Sequence, residues 1–266
     1  MKQLKVGMPG LVEIENFNDT IDLCRELQLD FIELNMNLPS QFIESLPSAT
    51  LQQAAKKHNL FYTMHMPDDA DMGVFFDSVR KGYVDLCIQT IDWAKQSNVT
   101  LLNFHIIEGA KMTLPDKKIY IYQQYEDEFV HRFFSSFQEI STYAKTHKIS
   151  INIENSGNFG HIYAQKALHK VLTLDGVNIT WDIGHDAAKN YFDHAFLMNN
   201  VQHISHMHFH DVLGEKDHLV PFDGNLDLAT PLKMAKNNGW TVVIEVKTVA
   251  ALREAVYVLK QKNYLT

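Results

Sequence analysis

Four side chains in this sequence could share one divalent cation: Glu154, Asp182, His208 and Glu245. Each sits in a short apolar or β-branched phrase. The phrases are Ile151-Asn152-Ile153-Glu154-Asn155, Thr180-Trp181-Asp182-Ile183-Gly184-His185, His206-Met207-His208-Phe209-His210-Asp211 and Val242-Val243-Ile244-Glu245-Val246. The four lie 28, 26 and 37 residues apart (182−154, 208−182, 245−208). Three carboxylates brought within ~5 Å of each other repel by about 3 kcal/mol per pair at an effective dielectric of 20, roughly 10 kcal/mol together. That equals the stability of a typical domain, ~5–15 kcal/mol, so they take up protons or a cation holds them. Three oxygens and one imidazole suit Mn²⁺, Co²⁺, Mg²⁺ or Zn²⁺, and ligand softness makes no choice among these. Singly, each residue has an ordinary reading. Asp182 can cap a helix, His208 can be a hydrogen-bonded core histidine, and the inward-facing Glu33 can pair with a Lys or Arg. The joint pattern points to a metal.

Such side chains need a scaffold that delivers them to one place. Apolar runs ending in reactive residues, separated by segments long enough for a helix, are the rhythm of parallel β/α proteins, whose chemistry lies at the carboxyl ends of the strands. A (β/α)8 barrel of ~250 residues repeats about every 31. Eight strands are expected, around Lys5–Pro9, Asp30–Asn35, Leu60–His65, Thr100–His105, Ile151–Asn155, Thr180–His185, His206–Asp211 and Val242–Val246. Between them run helical patterns, with Asn18 or Asp19 near the cap of the first and Val79 to Ala94 striping a long one. The expected fold class is α/β, a single-domain (β/α)8 barrel over residues 1–266, with no linker and no solenoid repeat. Strands three to eight would then aim His65, His105, Glu154, Asp182, His208 and Glu245 into one bowl. Two long loops stand out, Glu108 to Tyr122 and Leu213 to Asp227. The Phe75-Phe76 loop reads as a substrate lid or an oligomer contact.

Composition excludes several classes. With 45% hydrophobic and 21% charged residues, the 266-residue chain can bury a full core. No run approaches the ~18 apolar residues of a membrane span, and the basic start Met1-Lys2-Gln3-Leu4-Lys5-Val6 lacks the apolar region of a secretory signal. Two cysteines, Cys24 and Cys87, are too few for a disulfide framework and suit a reducing cytoplasm. Net charge is −8 with no basic block, which argues against a nucleic-acid partner.

The phrases Met64-His65-Met66-Pro67, Ile153-Glu154-Asn155, Trp181-Asp182-Ile183-Gly184-His185, His206-Met207-His208-Phe209-His210-Asp211 and Val243-Ile244-Glu245 resemble the xylose-isomerase-like TIM-barrel superfamily, in order and over nearly the full chain. That superfamily includes sugar-phosphate isomerases, ketose 3-epimerases and endonuclease IV. The epimerase resemblance implies one divalent metal on Glu154, Asp182, His208 and Glu245, with the two glutamates also moving the proton. It implies substrate contact at His185. Endonuclease IV is similar further, because His65, His105, His185 and His218 match additional zinc ligands. Its aspartate near His218 falls on Lys216 by strict spacing, with Asp217 one position off. Asp68 stands where that family has Tyr, Pro67 is the isomerase-type residue, and the usual Gly-x-Gly reads Phe222-Asp223-Gly224.

The expectation is a cytoplasmic metal-dependent isomerase or epimerase of a small sugar or polyol ketone, working through an enediolate, with Glu154 and Glu245 as proton carriers. Substrate-facing residues would be Glu33, His65, His105, His185, Lys216 and His218. Lys216 would replace the epimerase-type Arg, while His65 and His105 bind substrate or a second metal. The alternatives are a dehydratase working through the same enediolate, or a zinc phosphodiesterase with a multinuclear site acting on abasic DNA. A homo-oligomer is compatible with all of these.

Overall fold

The computed structural model describes residues 4–265. Met1–Gln3, part of the basic start, and Thr266 lie outside them. In chain order the elements are β1 (Lys5–Pro9), α1 (Phe17–Glu26), β2 (Phe31–Asn35), α2 (Ser48–His58), β3 (Phe61–His65), α3 (Asp77–Ala94), β4 (Val99–His105), β5 (Lys111–Thr113), β6 (Lys118–Tyr120), α4 (Ile121–Gln124) and α5 (Glu126–Thr146). They continue with β7 (Ser150–Glu154), α6 (Ile162–Val171), β8 (Val177–Asp182), α7 (Ile183–Ala188), α8 (His194–Asn199), β9 (Ile204–Phe209), β10 (Asp211–Leu213), β11 (Lys216–Leu219), α9 (Ala229–Asn238), β12 (Thr241–Ile244) and α10 (Val249–Gln261).

Eight parallel strands close in the order β1-β12-β9-β8-β7-β4-β3-β2. Both faces of each strand are covered, by barrel contents inside and helices outside, which is why the runs are apolar almost throughout. Phe129, Phe133 and Phe137 recur every four residues on α5 and are fully buried, the last edge-on to Phe104 of β4. Register then sets the site. His105 lies opposite Glu154, and Asp182 opposite His208. His208 is in turn opposite Val243, two residues before Glu245.

The expected barrel is present, with local differences. α1 begins two residues early, because Asn16 rather than Asn18 or Asp19 caps it by accepting from the Asn18 N–H. The two long loops are built. Residues 111–120 form the β5–β6 hairpin, and residues 211–219 form the β10–β11 hairpin. The latter turns on Gly214, at φ 62°, where a two-residue turn calls for glycine. Among the described residues no helix is long and apolar enough to cross a membrane.

Candidate metal centre

Asp182 ends β8 and also opens α7. Its Oδ1 accepts from the His185 N–H at 2.7 Å, so the cap reading holds. Its Oδ2 faces the imidazoles of His185 and His210, at 3.4 and 3.3 Å. Asn155 fixes the Asp182 backbone from both sides, accepting from its N–H and donating to its carbonyl. His208 Nδ1 stands 3.1 Å from Glu154 Oε1, 3.1 Å from Glu245 Oε2 and 3.9 Å from Asp182 Oδ2. One donor atom from each of these four residues lies within 4.8 Å of the others. The sequence-predicted ligand set is therefore brought together.

Charge at the centre is balanced by imidazoles. Burial pushes the Glu154 carboxyl up, but His208 and His105 outweigh it and hold it well below the usual carboxylate range. Glu245 is likewise raised by burial and lowered further by His208 and His218. In Asp182, burial is overcome by His185 and His210. Both glutamates are thus proton acceptors at neutral pH. His65 is lowered by burial, yet its contact with Glu154 prevails and pushes it up to about 9. Protonated imidazoles and a divalent cation are alternative ways of holding these carboxylates, so cation binding must release protons.

The donor set fits a divalent cation. Glu245 Oε2, His185 Nδ1 and His218 Nε2 are buried and have no hydrogen-bond partner. Such orphaned atoms cost free energy unless something pairs with them, and a cation would satisfy Glu245 Oε2 at the centre of the four ligands.

The residues read as substrate-facing divide. His185 is half-buried on the wall, its Nδ1 3.4 Å from Asp182 Oδ2. His218 lies across from it on the β10–β11 hairpin, its Nε2 3.5 Å from Glu245 Oε1 and its backbone at φ 53°. His65 and His105 meet edge to edge, Nε2 to Nε2 at 3.3 Å, and both face Glu154 Oε2, at 3.5 and 3.4 Å. Glu33 lies elsewhere, buried beneath the ligands. Its Oε1 is 2.7 Å from Nε2 of His208, the nitrogen turned away from the cluster. Its Oε2 accepts from Thr63 Oγ1 and faces His206 Nε2. Its partners are imidazoles and a hydroxyl, not the Lys or Arg that residue type suggests. Lys216 is exposed beside the hairpin turn. The lysine that contacts the cluster is the exposed Lys247, just beyond β12, whose Nζ is 2.8 Å from Glu245 Oε1.

The xylose isomerase-like TIM barrel model matches residues 21–262, nearly the whole chain. The chain belongs to that family. A protein of Sinorhizobium fredii, y4fM, is 26% identical over 94% of this chain and 85% of its own length. Among solved structures, a D-tagatose 3-epimerase-like protein superposes with TM-score 0.78, at 22% identity over 97% of this chain and 96% of its own. The IolI protein with a bound zinc atom gives TM-score 0.75, at 16% identity over 99% of this chain and all of its own. At these identities the two structures are likenesses of fold.

Proposed function

We propose that this family member is a metal-dependent isomerase or epimerase acting on a small sugar or polyol ketone. The observation that carries the reading is the placement of two carboxylate oxygens, Glu154 Oε1 and Glu245 Oε2, each 3.1 Å from His208 Nδ1 in one donor cluster. The likeness to a D-tagatose 3-epimerase-like protein supports it. Glu154, Asp182, His208 and Glu245 would hold the cation. When bound, a divalent ion of the Mn²⁺, Co²⁺, Mg²⁺ or Zn²⁺ type polarises a carbonyl and offsets charge developing on oxygen.

The protein's own residues would do the proton work. One of Glu154 and Glu245, both held ionised, takes the proton from the carbon beside the substrate carbonyl, leaving an enediolate. The other glutamate, first recharged with a proton from solvent, returns it, on the opposite face for an epimerisation, while the first passes the proton it took to solvent. Positioned acid–base groups of this kind contribute about 10²–10⁴-fold. His185 and His218, with their free ring nitrogens, would hold substrate hydroxyls, and Lys247 would offset the charge of Glu245. Substrate carbohydrate is thus the expected partner. The test is to load the metal-free protein with each cation and follow a ketose and aldose panel by sugar chromatography. Conversion dependent on metal supports the reading, and none across the panel with metal bound argues against it.

A second reading has its own observation. His65, His105 and Asp68 offer donor atoms within 4.8 Å of one another, beside Glu154. Together with the four-residue cluster these residues would hold two or three zinc ions, which would suit a phosphodiesterase acting on abasic DNA. The net charge of −8 counts against a DNA substrate. One equivalent of metal per chain favours the sugar enzyme, and three of zinc favour the phosphodiesterase.

A further inference from the structure

His210 is completely buried, two residues beyond the ligand His208, and the proposed reaction gives it nothing to do. Its ring is held at both nitrogens. The backbone N–H of His218 donates to Nδ1 at 2.8 Å, while Nε2 faces the Asp182 carboxylate, 3.1 Å from Oδ1 and 3.3 Å from Oδ2. A backbone N–H cannot reverse, so Nδ1 must be the acceptor and the ring proton sits on Nε2. The Asp211 carbonyl also approaches Nδ1, but at 3.3 Å. With its lone pair on Nδ1 engaged, a neutral His210 has none on Nε2 to give a cation, although it lies within ligand distance of Asp182, His185 and His218.

Two packing contacts hold the ring there. It stacks on His218, centroids 4.2 Å apart and planes 10° from parallel. A Cβ at Gly184 would overlap the imidazole. The chain Asp182–His210–His218 N–H therefore links the end of β8 to the β10–β11 hairpin.

We propose that His210 is a positioning residue: donating from Nε2, it fixes the orientation in which the Asp182 carboxylate is presented to the cation, and it ties that geometry to the substrate-facing hairpin. This rests on the reading that Asp182 ligates a metal. Partners behind a ligand typically change metal affinity by about 10–100-fold when removed.

The test is calorimetric titration of metal-free protein with Co²⁺, for wild type, His210→Leu and His210→Gln, with the visible Co²⁺ spectrum and the melting of each metal-free form. Wild type should bind Co²⁺. His210→Leu should bind the same number of equivalents about 10–100-fold more weakly, with a shifted spectrum. His210→Gln, whose amide nitrogen can reach Asp182, should recover most of the affinity. Histidine ¹⁵N NMR of the metal-free wild type should show Nδ1 bare and Nε2 protonated. Should His210→Leu fail to fold, Gly184→Ala displaces the ring instead and should give the same weakening. Wild-type affinity in the Leu variant, or a proton on Nδ1, overturns the proposal, and loss of a whole equivalent makes His210 a ligand and overturns it too. If wild type itself takes up no Co²⁺, the metal reading falls and this proposal with it.

Discussion

Replacing Glu33 by Gln separates a buttress from a substrate contact. Glu33 Oε1 lies 2.7 Å from His208 Nε2, while Oε2 takes Thr63 Oγ1 at 2.8 Å and His206 Nε2 at 3.1 Å. Burial raises the Glu33 carboxyl, but His208 and His206 overcome this and hold it far below the usual range, so it is a full anion. A carboxylate behind an imidazole fixes the ring and raises the basicity of the nitrogen facing the metal. The amide keeps the shape but loses the charge and turns one acceptor into a donor. Losing the charge behind a ligating imidazole typically changes metal affinity by about 10–100-fold. The assay is calorimetric titration of metal-free wild type and Glu33→Gln with Mn²⁺ or Co²⁺, followed by kinetics at saturating metal. Affinity should fall by about 10–100-fold, with KM for the sugar nearly unchanged. Unaltered metal affinity together with a raised KM would refute the buttress and return Glu33 to the substrate.

Other outcomes follow from the same geometry. Glu154→Gln and Glu245→Gln keep an oxygen for the cation, so metal binding should weaken without vanishing while kcat falls by at least ~10²–10⁴-fold; wild-type turnover in either would make that glutamate a ligand only. His65→Ala and His105→Ala should leave one cation bound by elemental analysis and raise KM, whereas loss of zinc from both would favour the phosphodiesterase. Burial, with Asp30 nearby, pushes the Cys24 thiol up to about 12. Its folded-state value exceeds the unfolded one, so the unfolded chain loses that proton first and stability should decline as pH rises from about 9 toward 12. At pH 8 the thiol should resist iodoacetamide until the protein is unfolded, and rapid labelling of the native form would contradict the burial argument.

The barrel and the clustering of the four donor side chains were legible because both depend on local pattern: an apolar run, a reactive residue at its end, a helix-length gap. What stayed hidden depends on pairing across the barrel. Alternation shows that Glu33 points inward, but only its register opposite Thr63 puts it a layer below the bowl, behind His208. The hairpins at 111–120 and 211–219 pair too few residues for alternation to stand out. Asn16, Asn18 and Asp19 are all good caps, so residue type could not choose among them. The altered turn at Phe222-Asp223-Gly224 was visible, but its support was not. Phe222 takes φ 78°, and the Asp211 carboxylate gathers the N–H groups of Phe222, Gly224 and Leu226 to hold it. Those bonds make Asp211 a support of the turn rather than a member of the donor cluster.

The central claim, proton transfer between two carboxylates beside a metal, is tested most directly by running the metal-loaded protein on its ketose in deuterium oxide and reading the recovered sugar by NMR. The account predicts one deuterium on the carbon next to the carbonyl, in the inverted or isomerised product and in substrate returned from the enediolate. Product formed with no solvent deuterium on that carbon would contradict transfer through two solvent-equilibrated glutamates.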